Sequence, residues 1–204
     1  ILTTGCVVTR WLEKEGNYPN GIFKTACALR QSPLTASQTQ TQETSARILV
    51  ALASSLQEYV ETFAFLESGL GGRDGFEVRL RPHPEFPIDA ALALAPMAGG
   101  ESYSESTGPL VADLEWADVV LYASSTVGLE AVSMGIPAIY MDLGGYLDTD
   151  PMSGWSDFKW SVSEPASLAE TIQSIRELPP DKFEMQQQKG REYVADYLRP
   201  VTVD

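Results

Sequence analysis

Between residues 47 and 141 the chain alternates short, wholly apolar runs with segments of helical spacing. Arg47-Ile-Leu-Val-Ala-Leu-Ala53 has no polar face at all after its first residue. A strand buried on one side would alternate, so this run fits a strand covered on both faces, as in a parallel sheet. Leu56, Tyr59, Val60, Phe63 and Leu66 then recur at helical spacing, and Ser54 or Ser55 stands where a helix cap belongs. Gly69, Gly71 and Gly72 end that helix.

The pattern repeats. Residues 76–81 read as a second strand, stopped by Pro82 and Pro84. Ile88 to Ala95 reads as a helix, and Met97 to Gly108 as a polar loop. Leu110 to Ala117 is a short helix, residues 118–124 a buried strand, and Thr126 to Met134 a helix halted by Gly135. Residues 136–141 form a strand, Trp160 to Val162 an edge strand, and Pro165 opens a helix that runs to Leu178. Asp181 to Leu198 is a last, more polar helix. Strands alternating with helices imply βα units, and the right-handed crossover makes them an α/β, Rossmann-like doubly wound parallel sheet.

The head of the chain is less regular. Val7 to Glu13 reads as a short helix and Phe23 to Leu29 as a strand, followed by a Ser-, Thr- and Gln-rich linker from Gln31 to Ala46. We therefore divide the chain into residues 1–46, the remnant of a preceding domain with its crossover and linker, and a sheet domain over 47–204. The first residues, Ile1-Leu2-Thr3-Thr4-Gly5, contain no Met and no signal-peptide layout, so we expect a piece of a longer protein.

Composition narrows the partners. The formal charge is −14 over 204 residues, which disfavours general binding to nucleic-acid backbone or anionic membrane. No apolar run has the ~20 residues of a membrane span. Cys6, Cys27 and one His make neither a disulfide framework nor a metal pattern. A local phosphate pocket built from backbone N–H groups remains compatible with this charge.

In a sheet of this kind ligands bind at the carboxyl ends of the strands. After Ala53 come Ser54 and Ser55, which either cap the next helix or donate to an anion. After Leu80 comes Arg81-Pro82-His83-Pro84. Two prolines fix the backbone around the sole histidine, which either serves a phosphate or acid–base step or merely caps a turn. Arg81 supplies a fork of donors, unless an acidic neighbour takes it. After Ala123 come Ser124, Ser125 and Thr126 at a strand-to-helix turn, a place suited to anions. Gly128 lets a ligand or a neighbouring backbone approach, and Glu130 either reaches back to the cap or points at a ligand hydroxyl. Asp142 before Gly144-Gly145 either holds a sugar hydroxyl or makes a turn. Trp155, Phe158 and Trp160 either stack on a ligand or pack the sheet edge. The loop Gly99 to Gly108 reads either as a lid over the strand ends or as a tolerated insertion. No G-x-G-x-x-G, Walker A or G-x-S-x-G motif is present.

The segments RPHP at 81–84 and ADVVLYASSTVGLEAVSMGIPAI at 117–139 resemble the C-terminal, donor-binding domain of GT-B-fold glycosyltransferases. The likeness is to bacterial surface- and capsular-polysaccharide transferases of the sialyltransferase and Kdo-transferase type, and to polyol-phosphate polymerases. It spans Arg47 to Leu178 and implies that Tyr103 to Thr107 lie near the donor's base or ribose. The resemblance implies that His83-Pro84 and Ser124-Ser125-Thr126 bind the donor nucleotide phosphate, with Arg81 in support and Glu130 as the acidic residue of the following helix. It implies His83 as the catalytic group, a nucleotide-sugar donor, CMP-linked by preference, and no metal or other cofactor. It places the glycan acceptor site and the base in a missing N-terminal domain, so that this chain alone is inactive. It implies a cytoplasmic site of action, peripheral at the inner membrane face. Two alternatives stand beside it: half of a nucleotide-sugar 2-epimerase or CDP-polyol phosphotransferase, and a non-enzymatic Rossmann-like interaction module. The last would show a strand-end crevice plugged by Tyr122, Tyr140 or Trp155, with His83 buried against a carbonyl.

Overall fold

A computed structural model describes residues 1–29, 44–95, 103–145 and 147–201. Within these, a six-stranded sheet is built from β3 (Ala46–Ala51), β4 (Phe76–Arg81), β5 (Tyr103–Glu105), β6 (Val119–Tyr122), β7 (Ala138–Met141) and β8 (Lys159–Val162). The order is β5-β4-β3-β6-β7-β8, and every pairing is parallel. The chain winds outward from β3 to β5, returns to β6 beside β3, and winds outward the other way. That is the doubly wound sheet expected, with its switch point between β3 and β6.

The apolar runs at 47–53 and 118–124 are apolar throughout because both faces are covered. Ile48 and Val50 face one side, with Tyr59, Phe63 and Leu66 of α2 (Leu56–Leu70), Ala91 of α3 (Asp89–Leu94), and Leu168 and Ile172 of α6 (Leu168–Arg176). Leu49 faces the other, with Leu114 of α4 (Leu110–Trp116) and Ala131 and Met134 of α5 (Val127–Met134). Phe183 and Val194 of α7 (Pro180–Tyr197) close the same side nearer β7 and β8. Gly135 ends α5 with φ 79°, a left-handed turn that a side chain resists.

The head contains α1 (Cys6–Glu15) and a two-residue parallel pair, β1 (Leu2–Thr3) with β2 (Lys24–Thr25). The strand expected over 23–29 is cut to two residues because β1 offers only two partners. Leu2–Thr3, too short to show a period, was invisible in sequence. The head sits on the end of α7: Arg199 N–H donates to Thr4 O at 2.8 Å, and Ala28 N–H to Arg199 O at 2.8 Å.

Other boundaries shift for local reasons. Gly69 lies inside α2, and the helix ends at Gly71. Residues 165–167 form a 3-10 turn before α6. Tyr103–Glu105, read as part of a lid, is an edge strand on β4, and Tyr103 packs against the α2-side core. Residues 99–102 of that loop, residue 30 and most of the linker, residues 31–43, lie outside the described residues. No described helix is long and apolar enough to cross a membrane.

Candidate functional site

Because the strands are parallel, the turns after β3, β4, β6 and β7 share one edge. Their side chains divide into those with hydrogen-bonding capacity left for a ligand and those already committed within the chain.

His83 belongs to the first group. Its backbone N–H donates to Tyr59 Oη at 2.6 Å, and Tyr59 Oη–H donates to Phe86 O at 3.1 Å. Burial pushes the Tyr59 phenol above its usual range, so it stays neutral and keeps both bonds. The Glu85 N–H donates to His83 Nδ1 at 3.3 Å. In neutral imidazole a nitrogen that accepts has no proton, so the proton sits on Nε2. The ring is half-buried, and no described carbonyl takes up Nε2–H.

Arg81 is mostly committed. Its Nη1 donates to Asp113 Oδ2 at 2.6 Å, to Ser106 Oγ at 3.2 Å and to Gly108 O at 3.0 Å. Asp113 is buried and also takes Arg79 Nη1 at 3.1 Å and the Ser106 hydroxyl. The acidic neighbour weighed from sequence is therefore Asp113. This knot fixes the end of β5 against β4 and leaves Arg81 facing Glu130. Burial raises the Glu130 carboxyl above the usual range, and the Arg81 charge opposes that rise. Glu130 makes no capping bond back to Thr126.

The turn after β6 is divided. Ser125 Oγ accepts the Val127 N–H at 3.3 Å and so serves the start of α5. Thr126 is exposed. Ser124 gives both its N–H and its hydroxyl to one carboxylate: N to Glu58 Oε1 at 3.1 Å, and Oγ to Oε1 and Oε2 at 2.9 Å each. Ser55 caps α2 by accepting the Glu58 N–H at 3.5 Å, while Ser54 is exposed. Glu58 was missed in sequence, although Ser55-Leu56-Gln57-Glu58 fits the spacing of a capping box. Only half of that box forms, because the carboxylate crosses β3 to Ser124.

A cleft of about 220 Å³ opens at this switch point, lined in part by Ser55, Glu58, Ala123, Tyr140 and Thr149. Tyr122 does not plug it. Its ring lies under Gly128, where a Cβ would meet ring carbons at 2.7–2.9 Å, so what approaches Gly128 is an aromatic side chain and not the backbone or ligand expected. Trp155 is also elsewhere, stacked on Tyr193 with ring centroids 4.4 Å apart. Phe158 is fully buried and packs against Phe183, and Trp160 is half-buried beside it. These aromatics serve the sheet edge. Asp142 accepts the Gly144 N–H at 3.0 Å, which makes it a turn former.

Cys6 and Cys27 are unpaired thiols. Among the described residues no group of three or more His, Cys, Asp or Glu is placed to hold a metal ion.

No protein-family model matches the sequence, and no curated protein matches it significantly. Solved structures do match. TarM superposes with a TM-score of 0.62 at 9% identity, over 95% of this chain and 39% of that one. Sucrose-phosphate synthase from Thermosynechococcus elongatus gives 0.60 at 14% identity, over 97% and 53%. The calicheamicin glycosyltransferase CalG4 gives 0.53 at 14% identity, over 94% and 55%. The chain thus spans about two-fifths to just over half the length of these structures. At such identities the likeness is one of fold, and the chain has the Rossmann-like fold of a GT-B half domain.

Proposed function

We propose that this chain is the donor-binding domain of a glycosyltransferase, taking a nucleotide sugar, CMP-linked by preference, for surface-polysaccharide synthesis at the cytoplasmic side of a membrane. The observation that carries the reading is His83: a Nε2–H donor at the strand-end edge, with its tautomer and backbone fixed by Glu85 and Tyr59. The GT-B-like fold supports it, as does the name of CalG4 as a glycosyltransferase.

In this reading the donor's phosphate lies between the His83 turn and the start of α5. As the bond from the anomeric carbon to the phosphate oxygen breaks, that oxygen gains negative charge. An N–H already aimed at it stabilises the change without reorganising. His83 Nε2–H supplies this donor, and the N-terminal end of α5 with Ser125 and Thr126 supplies partial positive charge. Arg81, held by Asp113, adds a fixed positive field from one side. Glu130 takes a ligand hydroxyl.

The glycan acceptor and the catalytic base belong to a second domain, of which residues 1–29 are the adjoining part. The head supports this. Its two-stranded parallel sheet is too small to stand alone, and Leu2, Trp11 and Tyr18 are 74%, 61% and 50% exposed.

Calorimetric titration with CMP, CDP, UDP, GDP and ADP tests the reading. The expected result is selective cytidine-nucleotide binding, weakened at least tenfold by His83→Ala. UDP or GDP selectivity would retain the donor domain and discard the cytidine preference. Absence of binding by all five would overturn the reading.

A further inference from the structure

The first turn of α2 ties together both loops of the proposed site, and one of its two ties is an anion. Tyr59 Oη holds the His83 backbone N–H at 2.6 Å. Its neighbour Glu58 holds the Ser124 N–H and hydroxyl at 2.9–3.1 Å. Ser124 is exposed and Glu58 only partly buried, so water competes for this contact and the side chain is free to leave it. Among the described residues no Lys or Arg pairs with Glu58. A carboxylate presents paired oxygens much as a phosphate does, and it sits on the two Ser124 donors, next to a crevice that Glu58 and Ala123 line.

Resting on the donor-binding reading above, we propose that Glu58 is a built-in competitor for the ligand's phosphate. It occupies the Ser124 donors, and a phosphate gains them only when the carboxylate swings away. The apparent affinity is then the intrinsic affinity scaled by the fraction of molecules with Glu58 displaced. A displaced but nearby carboxylate further repels the incoming anion. The site thereby favours ligands with enough additional contacts, to His83 and beyond, to offset the displacement, and it rejects free phosphate.

This role and a purely positioning role predict opposite signs. If Glu58 merely orients Ser124, removing its charge weakens binding. If it competes, removing its charge strengthens binding. Glu58→Gln is nearly isosteric and its amide oxygen still accepts from Ser124. Glu58→Ala, checked for folding by circular dichroism, removes the contact altogether. Both variants and the parent chain are titrated with CMP and separately with inorganic phosphate, following backbone amides and the imidazole signals by NMR. With one histidine in the sequence, those imidazole signals belong to His83.

The expected result is at least tenfold tighter CMP binding in both variants, with the Ser124 amide moving at lower ligand concentration than in the parent. Equal or weaker CMP binding in the variants, with the His83 signals still responding, overturns the competitor role and leaves the donor reading intact. A Ser124 amide that responds to phosphate but not to CMP in Glu58→Gln supports the competitor role and overturns the nucleotide reading. Silence of both Ser124 and the His83 signals toward both probes in all three proteins overturns both.

Discussion

The two halves of the sheet's carboxyl edge use charge in opposite ways. On the β4 side, Arg79 and Arg81 converge on Asp113 while retaining about a quarter of their side-chain exposure, 25% and 23%. His83 stands beside them with a free N–H. On the β7–β8 side, a crevice of about 390 Å³ is lined by Tyr140, Asp142, Gly145, Leu147, Asp148, Asp150, Ser161 and Ser163, with no Lys or Arg. The nearby Lys159 points inward to Asp150, where both side chains are sealed at 6% and 3% exposure. One half keeps cationic and donor groups where a ligand can feel them; the other buries its cation and shows acids. A net charge of −14 therefore says little about a phosphate site. The local field is set by which charges are buried and which are exposed.

Four substitutions break or sharpen this contrast. The largest effect is expected from Asp150→Ala. Asp150 takes Lys159 Nζ, Tyr122 Oη–H at 2.8 Å and the Met152 N–H at 2.9 Å. Its removal strands a buried ammonium and costs about 3–5 kcal/mol, read as a fall in thermal midpoint of about 10 °C, with the His83 NMR signals unmoved. Tyr59→Phe comes next. It leaves the His83 N–H and the Phe86 carbonyl without their partner, costing about 2 kcal/mol, and it weakens CMP binding by loosening the His83 turn. Melting curves and titration read the two effects separately.

Arg81→Ala is milder, about 1 kcal/mol in a urea melt, because Asp113 keeps Arg79 and Ser106. The smallest effect is at Glu130. Its folded pKa is raised by burial, so its protonated form is the better tolerated one. The folded state is favoured below the ordinary carboxylate range, and that advantage is lost as pH rises through the raised value. Glu130→Gln should therefore raise the thermal midpoint by about 2 °C at pH 7, and the gain should vanish when the scan is repeated near pH 4. An equal gain at both pH values would show that charge burial is not the cause.

The central strands β3, β6 and β7 were legible because they are buried on both faces, and such runs announce themselves without reference to anything distant. Residues 76–81 were read at their observed positions from their alternation and the prolines that follow, and the end of α5 from Gly135. Elements that depend on a remote partner were not legible. Leu2–Thr3 and Tyr103–Glu105 become strands only because β2 and β4 offer them edges.

The site divides in the same way. The position of His83 after a strand followed from its flanking prolines, and the alternative partner of Arg81 was foreseeable as an acid. That the acid is Asp113, 32 residues on, depends on the packing of α4. The Glu58–Ser124 contact spans 66 residues, and its only local trace was the capping-box spacing after Ser55.

The C-terminal helix gives the molecule a mechanical property. At 18 residues, α7 is a strut of about 27 Å. Its far end is riveted to the head, where Gly5 lies flush against the Asp196 and Tyr197 carbonyls and Thr4 Oγ1 donates to Tyr197 O at 3.1 Å. Its middle is keyed into α5, where Gly190 admits the Val132 side chain and Gln187 Nε2 donates to Gly135 O at 2.8 Å. A stiff rod seated at two points transmits a displacement instead of absorbing it. A push on residues 1–29 would therefore be felt at α5, the helix that Ser125 and Thr126 precede and whose first turn bears Glu130.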